Sequence, residues 1–389
     1  MKDLLRYELK KLFTKRFLFI VILILLVANA FNIYNTYDRY HKSYNKEFSQ
    51  AQWQIYKLVE GKLTQDKINK LVDYKNSLSS EAKADKPIEY YINKDGDLAI
   101  TEETLMKIKN AYQYSSSINE LLQINDVQKS VLQEINNDYL LKEALLIENT
   151  YSKRTIDSFY NTEAYGTYFS YDFSSFLILM IIFFSTASLF SGEKETGMLS
   201  VIRSSKNGRI KLSLAKQWAA TINTVFISLV FFLCDFLMFL FCLRPRGMFS
   251  PLYAISSFEY SPLNISIFEF LLLTYTIKIF GFVIFSLISA VLSSVFDKSY
   301  MVFVADFAFL ILLMFISAFK TGLLEYINLI NPINLLTNRN MFAKFNVINI
   351  FGEPVFKFVV VIVCAVFFAI TLSVVTCLLN NENSRRRRI

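Results

Sequence analysis

Three charged residues lie inside strongly apolar segments of the sequence, where a charge is costly. Asp235, Lys278 and Asp306 are each surrounded by Phe, Leu, Ile and Val residues. An ionisable group within a membrane-spanning helix is a candidate for function, because burying it in hydrocarbon is expensive. A Lys–Asp pair between neighbouring helices lowers that cost and can equally serve to fix helix packing. The sequence leaves two roles open for these residues. They could line a translocation route or couple helix movement, or they could fix the packing of the helices.

Catalytic chemistry has little support in the sequence. His41 is the single histidine, so neither a zinc-binding H-E-x-x-H motif nor a Ser-His-Asp triad is expected. The nearest fragment of a nucleotide-binding loop, Gly61-Lys62-Leu63-Thr64, lacks the earlier glycine of that motif and follows no predicted strand. The 4 cysteines lie in apolar segments without C-x-x-C spacing and are expected to be buried thiols. We expect no catalytic residue, no metal and no cofactor in this chain.

The composition is that of a membrane protein. Of 389 residues, 53% are hydrophobic, and 38 are Phe, whereas soluble domains have about 45–50% apolar residues. An apolar stretch of about 20 residues crosses the hydrocarbon core as a helix. The predicted fold class is therefore an all-α polytopic membrane protein with six transmembrane helices. The predicted spans are residues 17–36, 172–190, 218–243, 267–296, 300–319 and 355–379.

Basic residues predict the orientation of these spans. They cluster in residues 1–16, in the loop 191–217 and in the tail 380–389. Because Lys and Arg are retained on the cytoplasmic side, and an even number of spans puts both termini on one side, all three clusters are expected to be cytoplasmic. The protein is then a multi-pass protein of the plasma membrane. Its net charge of +8 is explained by this topology, so we expect no nucleic-acid partner.

The long region 37–171 is expected outside the cell as a mostly helical domain. Apolar residues at helical spacing between Leu121 and Leu140 predict one helix, which the acidic Thr101-Glu-Glu-Thr104 sequence would open. Earlier helices are predicted over residues 42–58 and from Thr64 to about residue 76. The alternation of residues 90–100 around Asp95-Gly96 predicts a small β-hairpin.

Two further segments are expected at the membrane surface. Residues 1–16 alternate Leu and Phe with Lys and Arg, which predicts an amphipathic helix in the cytoplasmic membrane interface, or alternatively a cytoplasmic extension of span 1. Residues 320–354 are semi-apolar and too long for a tight turn. We expect them to form short extracellular re-entrant helices, and residues 244–266 to form an extracellular loop.

The loop 191–217 has the features of a docking element for a soluble partner. Its acidic residues come first and would complement a helix dipole, and its basic residues, including Arg203, come last and would meet lipid phosphate. A helix of this kind can fit a groove on a partner and transmit a rigid-body push. The alternative interpretation is an ordinary positive-inside loop with solvated charges.

These residues together resemble the ABC-2 type permeases, the membrane subunits of ABC transporters. Family members read E-x-E-x-G-T, then an apolar stretch, Pro-x-x-Arg, and Gly-Lys entering the third helix. The corresponding residues of this chain are Glu193, Glu195, Gly197, Arg209 and Lys216. The resemblance covers the transmembrane architecture, about two thirds of the chain, and leaves out the region 37–171.

The chain departs from that pattern in three places. Met198 replaces the usual Thr, no proline precedes Arg209, and Ala215 precedes the lysine. The resemblance implies cytoplasmic termini, an amphipathic N-terminal helix and re-entrant helices before the last span. It also implies that Glu193, Glu195, Gly197, Arg203, Arg209 and Lys216 couple the chain to a cytoplasmic ABC ATPase dimer, which would bind ATP and Mg.

The resemblance further implies a transport route shared by two permeases, either two copies of this chain or this chain and a homologue. An exported amphiphile, peptide or antimicrobial compound is the expected substrate. The alternatives are a peptide-antibiotic sensing or immunity subunit, a mechanotransmitter acting through the region 37–171, and a passive receptor or channel. Frequent Lys, Asn and Ile suggest an AT-rich genome and a Gram-positive bacterium.

Overall fold

A computed structural model describes residues 2–13, 16–42, 55–81, 88–198, 210–319 and 323–382. Within them, 6 helical segments are long and apolar enough to cross a membrane, which confirms the predicted all-α polytopic fold. The third starts at Ile210, eight residues before the predicted bound, so Lys216 lies inside a helix rather than in the preceding loop. The candidate spans are Phe17–Thr36, Glu163–Glu195, Ile210–Leu243, Ile267–Val295, Ser299–Ala318 and Lys357–Asn381.

In the described parts of the chain the secondary-structure elements are mostly helices, with two small two-stranded sheets. The first sheet pairs β1 with β2 and the second pairs β3 with β4, both antiparallel. In chain order the elements are α1 (Lys2–Phe13), α2 (Arg16–Lys42), β1 (Gly61–Lys62), α3 (Gln65–Glu81), α4 (Ile88–Glu134), α5 (Asp138–Tyr151), β2 (Ser158–Phe159), α6 (Glu163–Phe169), α7 (Phe173–Ala187), α8 (Ser191–Glu195), α9 (Ile210–Leu243), α10 (Ile267–Val295), α11 (Ser299–Ala318), α12 (Leu323–Leu329), α13 (Ile333–Leu336), α14 (Arg339–Phe342), β3 (Val347–Ile350), β4 (Glu353–Phe356) and α15 (Lys357–Glu382).

Helix α10 lies at the centre of the membrane bundle. It packs against α7, α9, α11 and α15. Helices α7 and α10 are largely buried within the chain, whereas α2, α11 and α15 leave most of their apolar surface exposed. Continuous apolar surface of this extent suits contact with lipid acyl chains or with other membrane helices.

The inserted domain, residues 55–162 as described, is built on the long helix α4. This helix packs against both α3 and α5. The helix predicted after Thr64 is confirmed as α3, which runs to Glu81. Of the helix predicted over residues 42–58, residues 43–54 lie outside the described part, and residues 55–59 are helical.

The predicted hairpin at residues 90–100 is wrong, because this segment is the start of α4. The predicted helix start at Thr101 is wrong for the same reason, since α4 begins at Ile88. Ile100, Thr104 and Ile108 are all buried, and their i, i+4, i+8 spacing is that of one helix face. Ile100 and Ile108 pack in one apolar cluster with residues of α3, and this tertiary packing of the helix outweighs the local turn preference of Asp95-Gly96. Strand pairing in the inserted domain occurs elsewhere, between β1 and β2.

The loop 244–266 joins the inserted domain to the membrane bundle. Tyr114 and Tyr151 donate their hydroxyls to the backbone carbonyls of Glu259 and Tyr260, at 3.1 and 2.7 Å. Arg154 donates to the carbonyl of Ser261 at 2.9 Å. The same loop buries Leu252, Ile255 and Phe258 in the core of the membrane bundle. Movement in the inserted domain is thus mechanically linked to the start of α10.

Residues 323–342 form the predicted short helices α12, α13 and α14. The residues that follow form a β-hairpin of β3 and β4, which the sequence analysis did not predict. The turn between β3 and β4 places Phe351 and Gly352 at φ 52° and 85°. Two consecutive left-handed residues are typical of a tight two-residue hairpin turn. Glu353 at this turn forms an ion pair with Lys142 of the inserted domain.

Gly281 of α10 provides a test of this packing. A Cβ atom at this position would lie 2.9 Å from Leu336 Cδ2 and 3.0 Å from Leu335 Cβ. Gly281→Val is therefore expected to displace α13 and to lower the free energy of unfolding by about 1–3 kcal/mol. Thermal unfolding of the purified protein in detergent measures the effect. The control is Thr276→Val on the exposed face of α10; equal unfolding temperatures for both variants would contradict the packing.

Candidate functional site: the charged hub after span 2

Three turn residues, 188–190, separate the end of α7 from the short helix α8. Ser293 of α10 stabilises this turn, because its Oγ accepts hydrogen bonds from the backbone N–H groups of Phe190 and Ser191 at 3.0 and 3.1 Å. The same hydroxyl donates to the carbonyl of Ala187 at 2.8 Å. Backbone groups that the end of one helix and the start of the next leave unpaired are thereby satisfied. Helix α8 is consequently fixed to α10 at the point where the acidic sequence begins.

A buried ion pair connects α8 to α9. Lys216 Nζ lies 2.5 Å from Glu193 Oε1 and donates to the carbonyl of Leu189 at 2.6 Å. Lys216 is 0% exposed and Glu193 is 6% exposed. Charges buried to this degree are tolerated only when they are paired and hydrogen-bonded. The pair therefore holds the beginning of α9 against the turn that follows α7.

Helix α1 contributes two further charges to the same cluster. Glu8 Oε2 lies 3.7 Å from Lys216 Nζ, and Lys11 Nζ lies 3.5 Å from Glu193 Oε1. Glu8 is buried, as is its neighbour Leu12 on the same helix face. The two acids of this cluster, Glu8 and Glu193, balance the charge of its two lysines, which are Lys11 and Lys216. The N-terminal helix is thus fixed to α8 and α9 by ion pairs.

The two residues after Glu193 bind the turn between α10 and α11. Lys194 Nζ donates to the carbonyls of Ser294 and Phe296 at 2.8 and 2.9 Å, at the C-terminal end of α10. Glu195 accepts a hydrogen bond from the backbone N–H of Ser299 at 2.7 Å, at the N-terminal end of α11. A cation at a helix C-terminus and an anion at a helix N-terminus are the arrangement that helix dipoles favour.

We call this arrangement the hub. Its three consecutive charged residues each contact a different helix. Glu193 pairs with Lys216 of α9, Lys194 binds the end of α10, and Glu195 binds the start of α11. Displacing α8 would therefore move four helices together. The residues of the hub are Glu8, Lys11, Ser191, Glu193, Lys194, Glu195, Lys216, Ser293 and Ser299.

The three charged residues predicted inside the membrane are not paired with one another. Lys278 Nζ instead lies 3.1 Å from Asp172 Oδ1, just before α7. Asp235 accepts a hydrogen bond from the side-chain amide of Asn29 on α2. Asp306 accepts one from Ser289 Oγ at 2.7 Å. Asp235 and Asp306 each bridge two helices, Lys278 pairs with the residue that precedes α7, and all three are buried.

Comparison with known protein families shows which family this chain belongs to. Residues 15–379 match the family described as ABC-2 family transporter protein. The chain belongs to this family. No curated protein sequence matches it. The family is a membrane component of ABC transporters, and its members work in general with a separate ATP-binding subunit.

In this ABC-2 family protein, the hub brings together some of the residues that the sequence singled out. Glu193 and Lys216 contact each other directly, and Glu195 binds the start of α11. Gly197 follows at φ 70°, a left-handed conformation that favours glycine. Arg203 and Arg209 lie outside the described residues. The acidic residues thus bind neighbouring helices of the same chain.

Sequence reasoning missed the contribution of α1 and of the serines. A signal for Glu8 was available, because it occupies the same helical face as Leu4 and Leu12, four residues away on either side. A charge on an otherwise apolar stripe indicates a buried partner. Ser293 and Ser299 carried no comparable signal, since serine is common in helices of membrane bundles.

Removing the lysine at the centre of the hub should destabilise the fold. In Lys216→Met, Glu193 and Glu8 would be left buried without their cation, at an expected cost of about 3–5 kcal/mol. Denaturant titration of the purified protein in detergent measures this loss. Adding Glu193→Gln should restore part of the stability, because one buried charge is then removed.

The matched control is Lys211→Met, which removes an exposed lysine from the same helix, five residues earlier. It should leave stability close to that of the unchanged protein. If Lys216→Met unfolds at the same denaturant concentration as Lys211→Met, the hub does not depend on the buried pair.

Proposed function

We propose that this chain is the permease subunit of an ABC exporter and that its loop 191–217 docks on a cytoplasmic ATPase dimer. The hub is the observation that carries the proposal. Both ends of the loop, at α8 and α9, are held by the Glu193–Lys216 pair. A push on the loop therefore reaches α1, α9, α10 and α11 as one body, which is the rigid-body transmission that such transporters need.

The charge distribution supports a cytoplasmic location for the hub. Helix α1 has basic residues in its last turn and belongs to the hub side of the bundle. The basic tail follows α15, whose residue Asn380 donates to Ser294 Oγ near the same end of α10. By the positive-inside rule this end faces the cytoplasm, and the inserted domain is extracellular. ATP and Mg would be bound by the partner subunit.

A dimer of permeases is proposed as the transport unit. Helices α2, α11 and α15 expose long apolar faces, and one of these faces can pack against a second copy or a homologous permease. A route between two such subunits, open to lipid at its sides, suits an amphiphile, a peptide or an antimicrobial compound as the exported substrate.

A sensing or mechanotransmitting role is the second candidate. Its support is the connection between the inserted domain and α10, where Tyr114, Tyr151 and Arg154 bind three successive carbonyls of the loop 244–266. A ligand or a wall enzyme bound to the inserted domain would act on the membrane bundle through this contact.

If the loop 191–217 docks on the ATPase, reversing charges in this loop should release the ATPase from the purified protein. Tagged protein is purified in detergent from its native cells, and the co-purifying ATPase activity is measured. Arg203→Glu/Arg209→Glu should remove most of this activity, because charge reversal in the loop opposes docking. The membrane level and thermal stability of the variant should be unchanged.

The matched control reverses two basic residues elsewhere, in Lys70→Glu/Arg244→Glu. Both are exposed, Lys70 on α3 of the inserted domain and Arg244 after the far end of α9. This variant should retain the ATPase. Absence of any ATPase in the unchanged protein would overturn the permease proposal and favour a passive receptor or channel, and equal retention in both variants would overturn docking through the loop.

A further inference from the structure

A cavity of about 90 Å³ lies between the inserted domain and the loop 244–266. One wall is α4, the second is the segment 156–163 around β2, and the third is the segment 253–259 of the loop. The residues that determine its chemistry are Lys107, Tyr114, Tyr160, Glu163, Tyr253 and Glu259. The cavity is therefore placed at the contact that joins the inserted domain to the membrane bundle.

The acidic residues of the cavity outweigh its one lysine. Lys107 Nζ is already paired with Glu103 Oε1 at 2.6 Å. Glu163 Oε1 accepts a hydrogen bond from the backbone N–H of Ser256 at 3.0 Å. The Glu259 carboxylate has neither an ion pair nor a hydrogen bond within the described parts of the chain, and burial raises its pKa. A half-buried carboxylate without a partner is stabilised in its ionised form when a cation binds beside it.

One tyrosine of the cavity wall, Tyr253, already contacts a cation, which it shares with Tyr151 outside the cavity. The Arg154 guanidinium lies 4.5 Å from the ring centre of Tyr151 and 4.9 Å from that of Tyr253. Arg154 is 2% exposed and has no salt bridge to a carboxylate among the residues that the structure describes. It is not one of the residues that line the cavity. Tyr56, Phe159 and Tyr160 also line the cavity, and the faces of aromatic rings carry the negative potential that favours an organic cation.

The size of the cavity limits its occupant. A cavity must have a volume of about 10–15 Å³ to hold one water molecule. Pockets for drug-sized ligands have volumes of about 300–1,000 Å³. The volume therefore suits a small organic molecule with a few apolar atoms. Tyr114 and Tyr253 stack with their ring centres 5.1 Å apart and supply aromatic surface at this site.

We propose that this cavity binds a small organic amine in its ammonium form, with Glu259 as the counter-ion and the tyrosine rings as the surrounding wall. Such binding would join α4 to the loop 244–266 and stiffen the connection to α10. The inference goes beyond the proposed transport role and does not depend on the ATPase, since binding is measured on the purified chain.

The test uses 4-fluorobenzylamine as the probe and 4-fluorobenzyl alcohol as an uncharged analogue of the same shape. Fluorine NMR of each probe is recorded with the full-length protein in detergent and with empty micelles. The amine should bind at least about tenfold more tightly than the alcohol, because a charge-assisted hydrogen bond contributes about 1.5–3 kcal/mol and 1.4 kcal/mol is a factor of ten.

Two variants and one control locate the site. Glu259→Gln should weaken amine binding by about tenfold or more, and Ala111→Leu, which fills the cavity from α4, should abolish it. Glu134→Gln removes an exposed carboxylate at the far end of α4, about 30 Å from Tyr114 along the helix, and should bind the amine normally. Equal binding of amine and alcohol, or unchanged amine binding in both cavity variants, would overturn the proposal.

Discussion

The ion pair between Glu193 and Lys216 is the interaction on which the hub depends. Two charges removed from water are stable only because they are 2.5 Å apart and because Lys216 also binds a backbone carbonyl. A buried pair of this kind adds little net stability compared with apolar residues, but losing one partner is expensive. We infer that its value here lies in specificity, since it fixes the position of α9 relative to α8 and α1.

The hub also explains why charged residues follow one another directly in this short helix. Three consecutive side chains of a helix point in different directions, about 100° apart. Glu193 can therefore face Lys216 while Lys194 and Glu195 bind the two ends of the α10–α11 turn. The loop 244–266 makes a second connection to α10, at its other end. Helix α10 thus links the hub to the inserted domain, and movements at either end can be transmitted through its length.

Much of the membrane architecture follows from the sequence, because hydropathy over about 20 residues is a local property. The sequence predicts a docking role for the loop and names Glu193 and Lys216 in it, but it could not predict their contact or the contribution of Glu8, since these residues are distant in sequence. The hairpin predicted at residues 90–100 failed because a local turn signal competes with the long-range packing of α4, in which Ile100 is buried. The tight turn at Phe351-Gly352 was missed because it needs a non-glycine residue at positive φ.

The claim that the hub moves as one body can be measured directly with two spin labels. Tyr7 on α1 and Lys298 in the α10–α11 turn are both exposed, and they report on two elements that the hub joins. Pulsed electron spin resonance would record their separation in the purified complex with the ATPase, without and with bound nucleotide. We predict one narrow distance distribution that stays the same in both states. A shift or a splitting of this distribution on nucleotide binding would show that α1 and the turn move independently, and would contradict the account.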